Sequence, residues 1–190
     1  MGRAHIPNLI TFVRIALSPV FILFFVLGGD WFFAAFAVGL LFEITDFLDG
    51  ALARRHDLVS GFGKLFDPLA DSISRFTVFL CLLSVGYADL FAVALIFYRD
   101  ALVSSARTVA AYENVIVAAR LSGKLKAIFQ SIGITAVLVI LLINRADIHA
   151  AGAHSGWARL VVWVVAVVTA ASGVDYIVAN WALIRRFAGR

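Results

Sequence analysis

The chain contains 190 residues, of which 63% are hydrophobic and 15% are charged, whereas a soluble domain is about half apolar and about a quarter charged. This composition excludes an ordinary water-soluble protein, and at about 20 apolar residues per crossing the length allows roughly six bilayer-spanning helices. The net charge of +4 does not indicate a nucleic-acid partner, because the basic residues form no single face with interleaved aromatics. The single cysteine, Cys81, excludes a disulfide framework and a thiolate metal site. We therefore predict one membrane domain over residues 1–190, in contact with lipid.

Apolar runs separated by short breaks predict six helices, near residues 8–28, 31–54, 62–86, 88–112, 122–143 and 157–184. The breaks contain Gly, Asn or charged residues, which suit helical hairpins. Backbone groups in lipid must bond internally, and no run of alternating residues suggests a barrel, so helices are favoured. Because Arg14 interrupts the first run and no cleavage pattern follows, this run is predicted to be a crossing and not a signal peptide. The predicted fold class is an all-α, polytopic membrane protein with six transmembrane helices.

The distribution of basic residues predicts the orientation of these helices. Ten of them flank one side of the predicted bundle: Arg3, Arg54, Arg55, Lys64, Arg120, Lys124, Lys126, Arg185, Arg186 and Arg190. The other side carries mainly Arg145 and Arg159, together with acidic residues. Since basic residues concentrate on the cytoplasmic side of membrane proteins, we predict a multi-pass protein with both termini in the cytoplasm.

Acidic residues are concentrated near the ends of the second and third apolar segments. On the second segment, i, i+3, i+4, i+7 and i+8 spacing places five residues on one helical face: Asp46, Asp49, Gly50, Ala53 and Arg54. On the third segment, Gly63, Asp67 and Asp71 repeat at i+4. A short loop joins the two segments, so four carboxylates are predicted to converge on one cavity.

Four buried carboxylates need compensation, because each uncompensated charge costs several kcal/mol. Arg54 and Arg75, the cations on these faces, are too few to provide it. Divalent cations resolve the deficit, and an all-oxygen ligand set favours Mg²⁺, Mn²⁺ or Ca²⁺ and can hold two ions if some carboxylates bridge. Such a pair suits phosphoryl transfer. Buried salt bridges, or a small cation or proton transporter, are the alternatives, although a transporter would place its acids near the bilayer midplane.

The motif formed by these acids and small residues resembles the signature of the CDP-alcohol phosphatidyltransferase family, with every position filled. The resemblance implies a six-helix fold, usually a homodimer, in the cytoplasmic (inner) membrane. It also implies binding of CDP-diacylglycerol and two divalent ions, Mg²⁺ or Mn²⁺, and attack by an alcohol on the β-phosphate with release of CMP. By position, the implied metal ligands are Asp46, Asp49, Asp67 and Asp71, with Asp71 also the general base. The implied CDP site consists of Asn8, Thr11, Asp49, Gly50, Ala53, Arg54 and Gly63.

Four further stretches resemble the phosphatidylglycerophosphate synthase subgroup, which uses glycerol 3-phosphate: residues 6–11 with Arg14, 66–71, 122–126 and 172–176. A phosphorylated acceptor requires cations near the metal site, and Arg107, Lys124 and Lys126 are the candidates. Positive-inside topology or contact with anionic lipid is the alternative explanation of these three residues. Ser72 stands where the subgroup usually has lysine, which leaves inositol phosphate and other alcohols of the family as alternative acceptors.

Overall fold

The structure, a computed structural model, describes residues 5–56, 61–112, 120–143, 155–181 and 185. Side chains are described within residues 12–46, 69–110, 120–143 and 156–181, and at Arg185. The elements are six helices: α1 (His5–Leu27), α2 (Trp31–His56), α3 (Gly61–Ser84), α4 (Leu90–Tyr112), α5 (Leu121–Ile143) and α6 (Ser155–Ala179). Over these residues the protein is entirely helical, which confirms the predicted fold class.

Sharp turns join the first helices in antiparallel hairpins. Gly28 and Gly29 adopt φ values of 62° and 51° between α1 and α2, and Gly86 adopts 77° after α3. These left-handed conformations strain residues with a Cβ atom but not glycine. The hairpins bring the first turns of α1, α3 and α5 and the last turns of α2, α4 and α6 to one end of the bundle. We call this end the terminal end, and the end with the α1–α2 and α3–α4 turns the opposite end.

The helices have the length and surface of membrane-spanning elements. Each contains 23 to 26 residues, and about 20 suffice to cross the hydrocarbon core. In the described part of the chain, α5 and residues Gly156–Ala179 of α6 are also apolar enough to cross a membrane, with mean hydropathies of 2.2 and 2.0. Large apolar side chains point outward along the helices, for example Leu23, Phe33, Phe91 and Val174. The protein is therefore embedded in the membrane.

Close helix contacts position the interior. Helix α1 packs on α2 and α3, helix α6 packs on α4 and α5, and contacts of α3 with α4 and of α2 with α5 join the two groups. A Cβ atom added to Gly39 would lie 2.8 Å from Leu138 Cδ1, and one added to Gly133 would lie 2.4 Å from Val165 Cγ2. Glycine therefore allows α5 to approach both α2 and α6, as small residues do between membrane helices. On the terminal side of these contacts, polar side chains from several helices face one another.

Candidate active site

Two carboxylates and two arginines from three helices form a charge cluster inside the bundle, near the middle of their helices. The charge cluster consists of Arg14 on α1, Asp46 on α2, and Asp71 and Arg75 on α3. Arg14 Nη1 donates a hydrogen bond to Asp71 Oδ1 and lies 3.7 Å from Asp46 Oδ1. Arg75 Nη2 donates to Asp46 Oδ2, and the two carboxyl groups are close enough to interact directly. Helical spacing predicted that α2 and α3 bring acidic residues together. In the structure, Asp46 of α2 and Asp71 of α3 approach the same guanidinium, that of Arg14.

The arginines of the charge cluster are more deeply buried than its carboxylates. Arg14 and Arg75 expose 4% and 7% of their surface, whereas the side chains of Asp46 and Asp71 expose 31% and 33%. Two buried cations therefore neutralise two carboxylates that remain accessible. Sequence reasoning considered Arg75 as a counter-charge but missed Arg14. The available signal was an arginine inside the apolar run of α1, which needs an anionic partner on another helix.

The carboxylate oxygens of the charge cluster are of the kind that bind a divalent metal ion. Asp46 and Asp71 present oxygen ligands to one shared cationic group, the Arg14 guanidinium, so their carboxylates can converge on one positive charge. Oxygen donors are those that Mg²⁺ and Mn²⁺ prefer. The side chains of Asp49 and Asp67 lie outside the described ones, and among the described side chains no three His, Cys, Asp or Glu residues gather around one point. The backbone places Asp49 in α2 and Asp67 in α3.

The residues that the family resemblance implies for the CDP site lie outside the described side chains: Asn8, Thr11, Asp49, Gly50, Ala53, Arg54 and Gly63. Their backbone belongs to the first turns of α1 and α3 and the last turns of α2. All three segments lie on the terminal side of the charge cluster.

A cavity of about 140 Å³ adjoins the charge cluster between α3, α4 and α5. Its lining consists of Asp71, Ser72, Arg75, Arg99, Asp100, Val103, Ser104, Arg107, Gly123, Lys126 and Ala127. Four of these side chains are cationic and two are anionic, so the lining has an excess of positive charge. Because low-dielectric surroundings strengthen electrostatic attraction, a small anion such as a phosphate group suits this cavity. Asp71 belongs to both the cavity and the charge cluster.

The structure brings two of the three predicted acceptor residues to this cavity. Lys126 is buried and its Nζ donates to Asp100 Oδ2 at 2.7 Å. Arg107 is exposed, and its guanidinium carbon lies 5.8 Å from the centre of the Tyr176 ring. Lys124 is exposed and does not line the cavity. Residues two apart on a helix point to different sides, so α5 directs Lys126 inward and Lys124 outward.

Gln130 connects the cavity with the charge cluster. This side chain is completely buried, and its Oε1 accepts a hydrogen bond from Arg75 Nη1 at 3.3 Å. Its Nε2 lies 3.4 Å from Asp100 Oδ2 and 3.3 Å from Thr169 Oγ1. Sequence reasoning missed Gln130, although its position four residues after Lys126 in an apolar helix was an available signal.

An exposed ion pair fixes the start of the helix that carries Lys126. Arg120 Nε and Nη2 donate to the two carboxylate oxygens of Asp175 at 2.7 and 2.8 Å. Ser122 Oγ donates to the same carboxylate. The clamp joins the beginning of α5 to the end of α6, and two parallel hydrogen bonds make its geometry specific. It therefore positions α5, whose next turn contains Lys126.

These features define an α-helical membrane protein with accessible paired carboxylates beside a cationic cavity inside its helix bundle. The sequence profile of the CDP-alcohol phosphatidyltransferase family matches residues 4–171. The chain belongs to this family, as the acidic motif predicted, and it is a phosphatidyltransferase. The prediction of an enzyme is thus confirmed over that of a cation or proton transporter.

Three relatives bear the name CDP-diacylglycerol–glycerol-3-phosphate 3-phosphatidyltransferase. The protein from Bacillus subtilis is 33% identical over 190 residues, which cover 93% of this chain and 95% of the relative. The protein from Rickettsia typhi is 36% identical over 138 residues, covering 71% and 76%. The protein from Treponema pallidum is 35% identical over 157 residues, covering 80% and 71%. The predicted closeness to the phosphatidylglycerophosphate synthase subgroup is therefore confirmed.

Proposed function

We propose that this enzyme transfers the phosphatidyl group of CDP-diacylglycerol to glycerol 3-phosphate, giving phosphatidylglycerol phosphate and CMP. The observation that carries the proposal is the cationic cavity directly beside Asp71. A phosphorylated acceptor brings about two negative charges, which the excess positive charge of the lining can balance. The names of the relatives support the same donor and acceptor.

In the proposed reaction, Lys126 and Arg107 bind the acceptor phosphate and direct the acceptor hydroxyl toward Asp71. Asp71 accepts the hydroxyl proton as the new oxygen–phosphorus bond forms at the β-phosphorus of CDP-diacylglycerol. The bond from this phosphorus to the oxygen bridging the two phosphates breaks, and CMP leaves with the electron pair. Holding the hydroxyl and the phosphorus together supplies much of the acceleration, because it replaces an encounter in solution by a fixed geometry.

The proposed cofactors are two divalent cations, Mg²⁺ or Mn²⁺, held by Asp46, Asp49, Asp67 and Asp71. Members of this family generally use divalent metal ions. The accessible carboxylates of Asp46 and Asp71, which face one cation, support this assignment. When bound, such ions neutralise the diphosphate and acidify the attacking hydroxyl. A metal-bound carboxylate is a weak base, so the acidified hydroxyl is what would allow Asp71 to accept its proton.

The rest of the proposal concerns the CDP-binding residues, the domain organisation, the oligomeric state and the orientation in the membrane. We propose that CDP is bound by Asn8, Thr11, Asp49, Gly50, Ala53, Arg54 and Gly63. We further propose a single domain over residues 1–190, a homodimer, and location in the inner membrane with both termini in the cytoplasm. The basic residues near the terminal end support this orientation, because it places the site where CDP-linked substrates and glycerol 3-phosphate are available.

Inositol phosphate is the second candidate acceptor. It also presents a phosphate and a hydroxyl, and Ser72, which replaces the usual lysine of the subgroup, lines the cavity itself. A smaller side chain at this position leaves space for a bulkier alcohol. The cationic lining makes uncharged or zwitterionic acceptors such as serine less favourable.

A panel of acceptors tests the proposal. Purified protein in detergent with CDP-diacylglycerol and Mg²⁺ or Mn²⁺ is given glycerol 3-phosphate, inositol phosphate, glycerol, inositol or serine, and CMP release is measured. We expect the fastest release with glycerol 3-phosphate and little with the three unphosphorylated acceptors, which are glycerol, inositol and serine. Faster release with inositol phosphate would identify it as the acceptor in place of glycerol 3-phosphate. Absence of release with every alcohol would refute the proposed reaction.

A further inference from the structure

Glu43 is an acidic residue beside the charge cluster that the acidic motif does not include. It lies three residues before Asp46 on α2, so both side chains project from the same face of the helix. Its Oε2 atom is buried and has no hydrogen-bond partner. A buried carboxylate oxygen without a partner is unfavourable, and native structures contain few of them. Glu43 therefore requires an explanation.

Arg75 lies within electrostatic range of Glu43. Four carboxylates on three helices are within this range of its guanidinium: Glu43 and Asp46 on α2, Asp71 on its own helix, and Asp100 on α4. The hydrogen bonds of its Nη atoms go to Asp46 and Gln130. Among the described contacts Glu43 thus attracts Arg75 electrostatically but receives no hydrogen bond at Oε2.

The other carboxylates near Arg75 have further cationic partners. Asp100 pairs with Lys126 Nζ at 2.7 Å and with Arg99 Nη1 at 3.1 Å. Asp71 receives a hydrogen bond from Arg14. Asp46, the proposed metal ligand, would have to interact with a divalent cation and with the Arg75 guanidinium at once. These two positive charges repel each other at such short range, so metal binding favours the transfer of Arg75 to another anion.

We propose that Glu43 is a positioning residue that receives Arg75 when a divalent cation binds Asp46. The inference rests on the metal site of the proposed function. Residues three apart on a helix have Cβ atoms about 5–6 Å apart, so rotation of the long Arg75 side chain moves its guanidinium between them. Arg75 keeps its charge neutralised in both arrangements, and no helix has to move. Glu43 thus makes Asp46 available to the metal.

Direct measurement of Mn²⁺ binding tests this exchange. Electron paramagnetic resonance of free Mn²⁺ gives the Kd for purified wild type, Glu43→Gln, Arg75→Gln and the double variant. We expect Glu43→Gln to raise the Kd about 10- to 100-fold, as the loss of groups that support metal ligands does. In the Arg75→Gln background the same substitution should have no more effect than the control Asp30→Asn, which removes a charge at the opposite end of the bundle.

Three outcomes overturn the exchange. If Glu43→Gln weakens Mn²⁺ binding equally with and without Arg75, Glu43 acts only through its charge. The variant Glu43→Asp tests the same point if Arg75→Gln does not fold, because it retains the charge but shortens the side chain. Wild-type affinity in Glu43→Asp would contradict the exchange, and a raised Kd would support it. Wild-type protein that binds no Mn²⁺ would refute the metal site as well, whereas CMP release separately tests the reaction.

Discussion

Arginine–aspartate pairs occur inside the helix bundle and at its opposite end, in different environments. At the opposite end, Arg159 Nε lies 3.9 Å from Asp89 Oδ1, and the two side chains expose 44% and 41% of their surface. In the charge cluster, the side chains of Arg14 and Arg75 expose only 4% and 8%. Exposed pairs contribute about 0–1 kcal/mol, whereas burial of a pair costs desolvation energy that its attraction only partly offsets.

The difference in burial distinguishes the structural contact of Arg159 with Asp89 from the candidate active site. At the opposite end, Arg159 Nε also donates to Gly86 O at 2.8 Å, and Trp163 Nε1 donates to Asp89 Oδ2 at 2.8 Å. These bonds fasten the turn after α3 to α6 and need no ligand. In the charge cluster, buried arginines hold carboxylates beside the cationic cavity, at a cost in stability that a simple clamp would not require.

Removal of the shared carboxylate should have the largest effect. Asp71→Asn takes away the proposed general base and one metal ligand, and we expect kcat to fall about 100- to 10,000-fold. The measurement is CMP release at saturating substrates. The matched control is Asp89→Asn at the opposite end, which should retain wild-type kcat. A wild-type kcat in Asp71→Asn would exclude Asp71 from the chemistry.

Removal of a buried cation should have the next largest effect, on stability. Arg14→Gln leaves Asp46 and Asp71 without their shared partner, and breaking a buried pair costs about 3–5 kcal/mol. Thermal unfolding in detergent with a chelator should show a clearly lower midpoint. Mn²⁺ should restore part of the loss, since a metal ion then replaces the missing positive charge. An unchanged midpoint would mean that the charge cluster does not depend on Arg14.

The two lysines of α5 should differ in their effect on acceptor binding. Lys126→Ala removes a charged hydrogen-bond donor worth about 1.5–3 kcal/mol, so KM for glycerol 3-phosphate should rise by about tenfold or more. KM for CDP-diacylglycerol should change much less. Lys124→Ala, which removes an exposed charge of the same helix, is the control and should affect neither constant strongly. Equal effects of both substitutions would favour a topological role for the two residues.

The exposed pair should give the smallest effect. Arg159→Gln should reduce the free energy of unfolding by about 1 kcal/mol or less and leave the KM of both substrates unchanged. Thermal unfolding and CMP release measure the two expectations. A loss as large as that of Arg14→Gln would remove the distinction between the exposed pair and the charge cluster.

The sequence predicted the helices well because apolar runs and their breaks are local properties. The observed helices lie close to the predicted segments, and the end of the sixth predicted segment, at residues 182–184, lies outside the described residues. The face shared by Asp46 and its neighbours also follows from helical spacing alone. The contact of Asp46 with Asp71 required only that a short loop joins α2 and α3.

Partners that come from distant helices could not be predicted in this way. Arg14 and Gln130 lie within the apolar stretches of α1 and α5, and spacing does not tell which helix each of them faces. The choice between Lys124 and Lys126 depends on the rotation of α5 about its own axis, which follows from its packing against the neighbouring helices. Tertiary packing, not a local pattern, determines these three assignments.

The position of Gln130 has a thermodynamic consequence. Its amide bonds Arg75 on one side and Asp100, the partner of Lys126, on the other. The proposed movement of Arg75 would therefore alter the surroundings of Lys126 and would couple metal binding with acceptor binding. Linkage makes such coupling reciprocal: the factor by which one ligand changes the affinity of the other is the same in both directions. One buried amide would thus make the two halves of the proposed site parts of a single equilibrium.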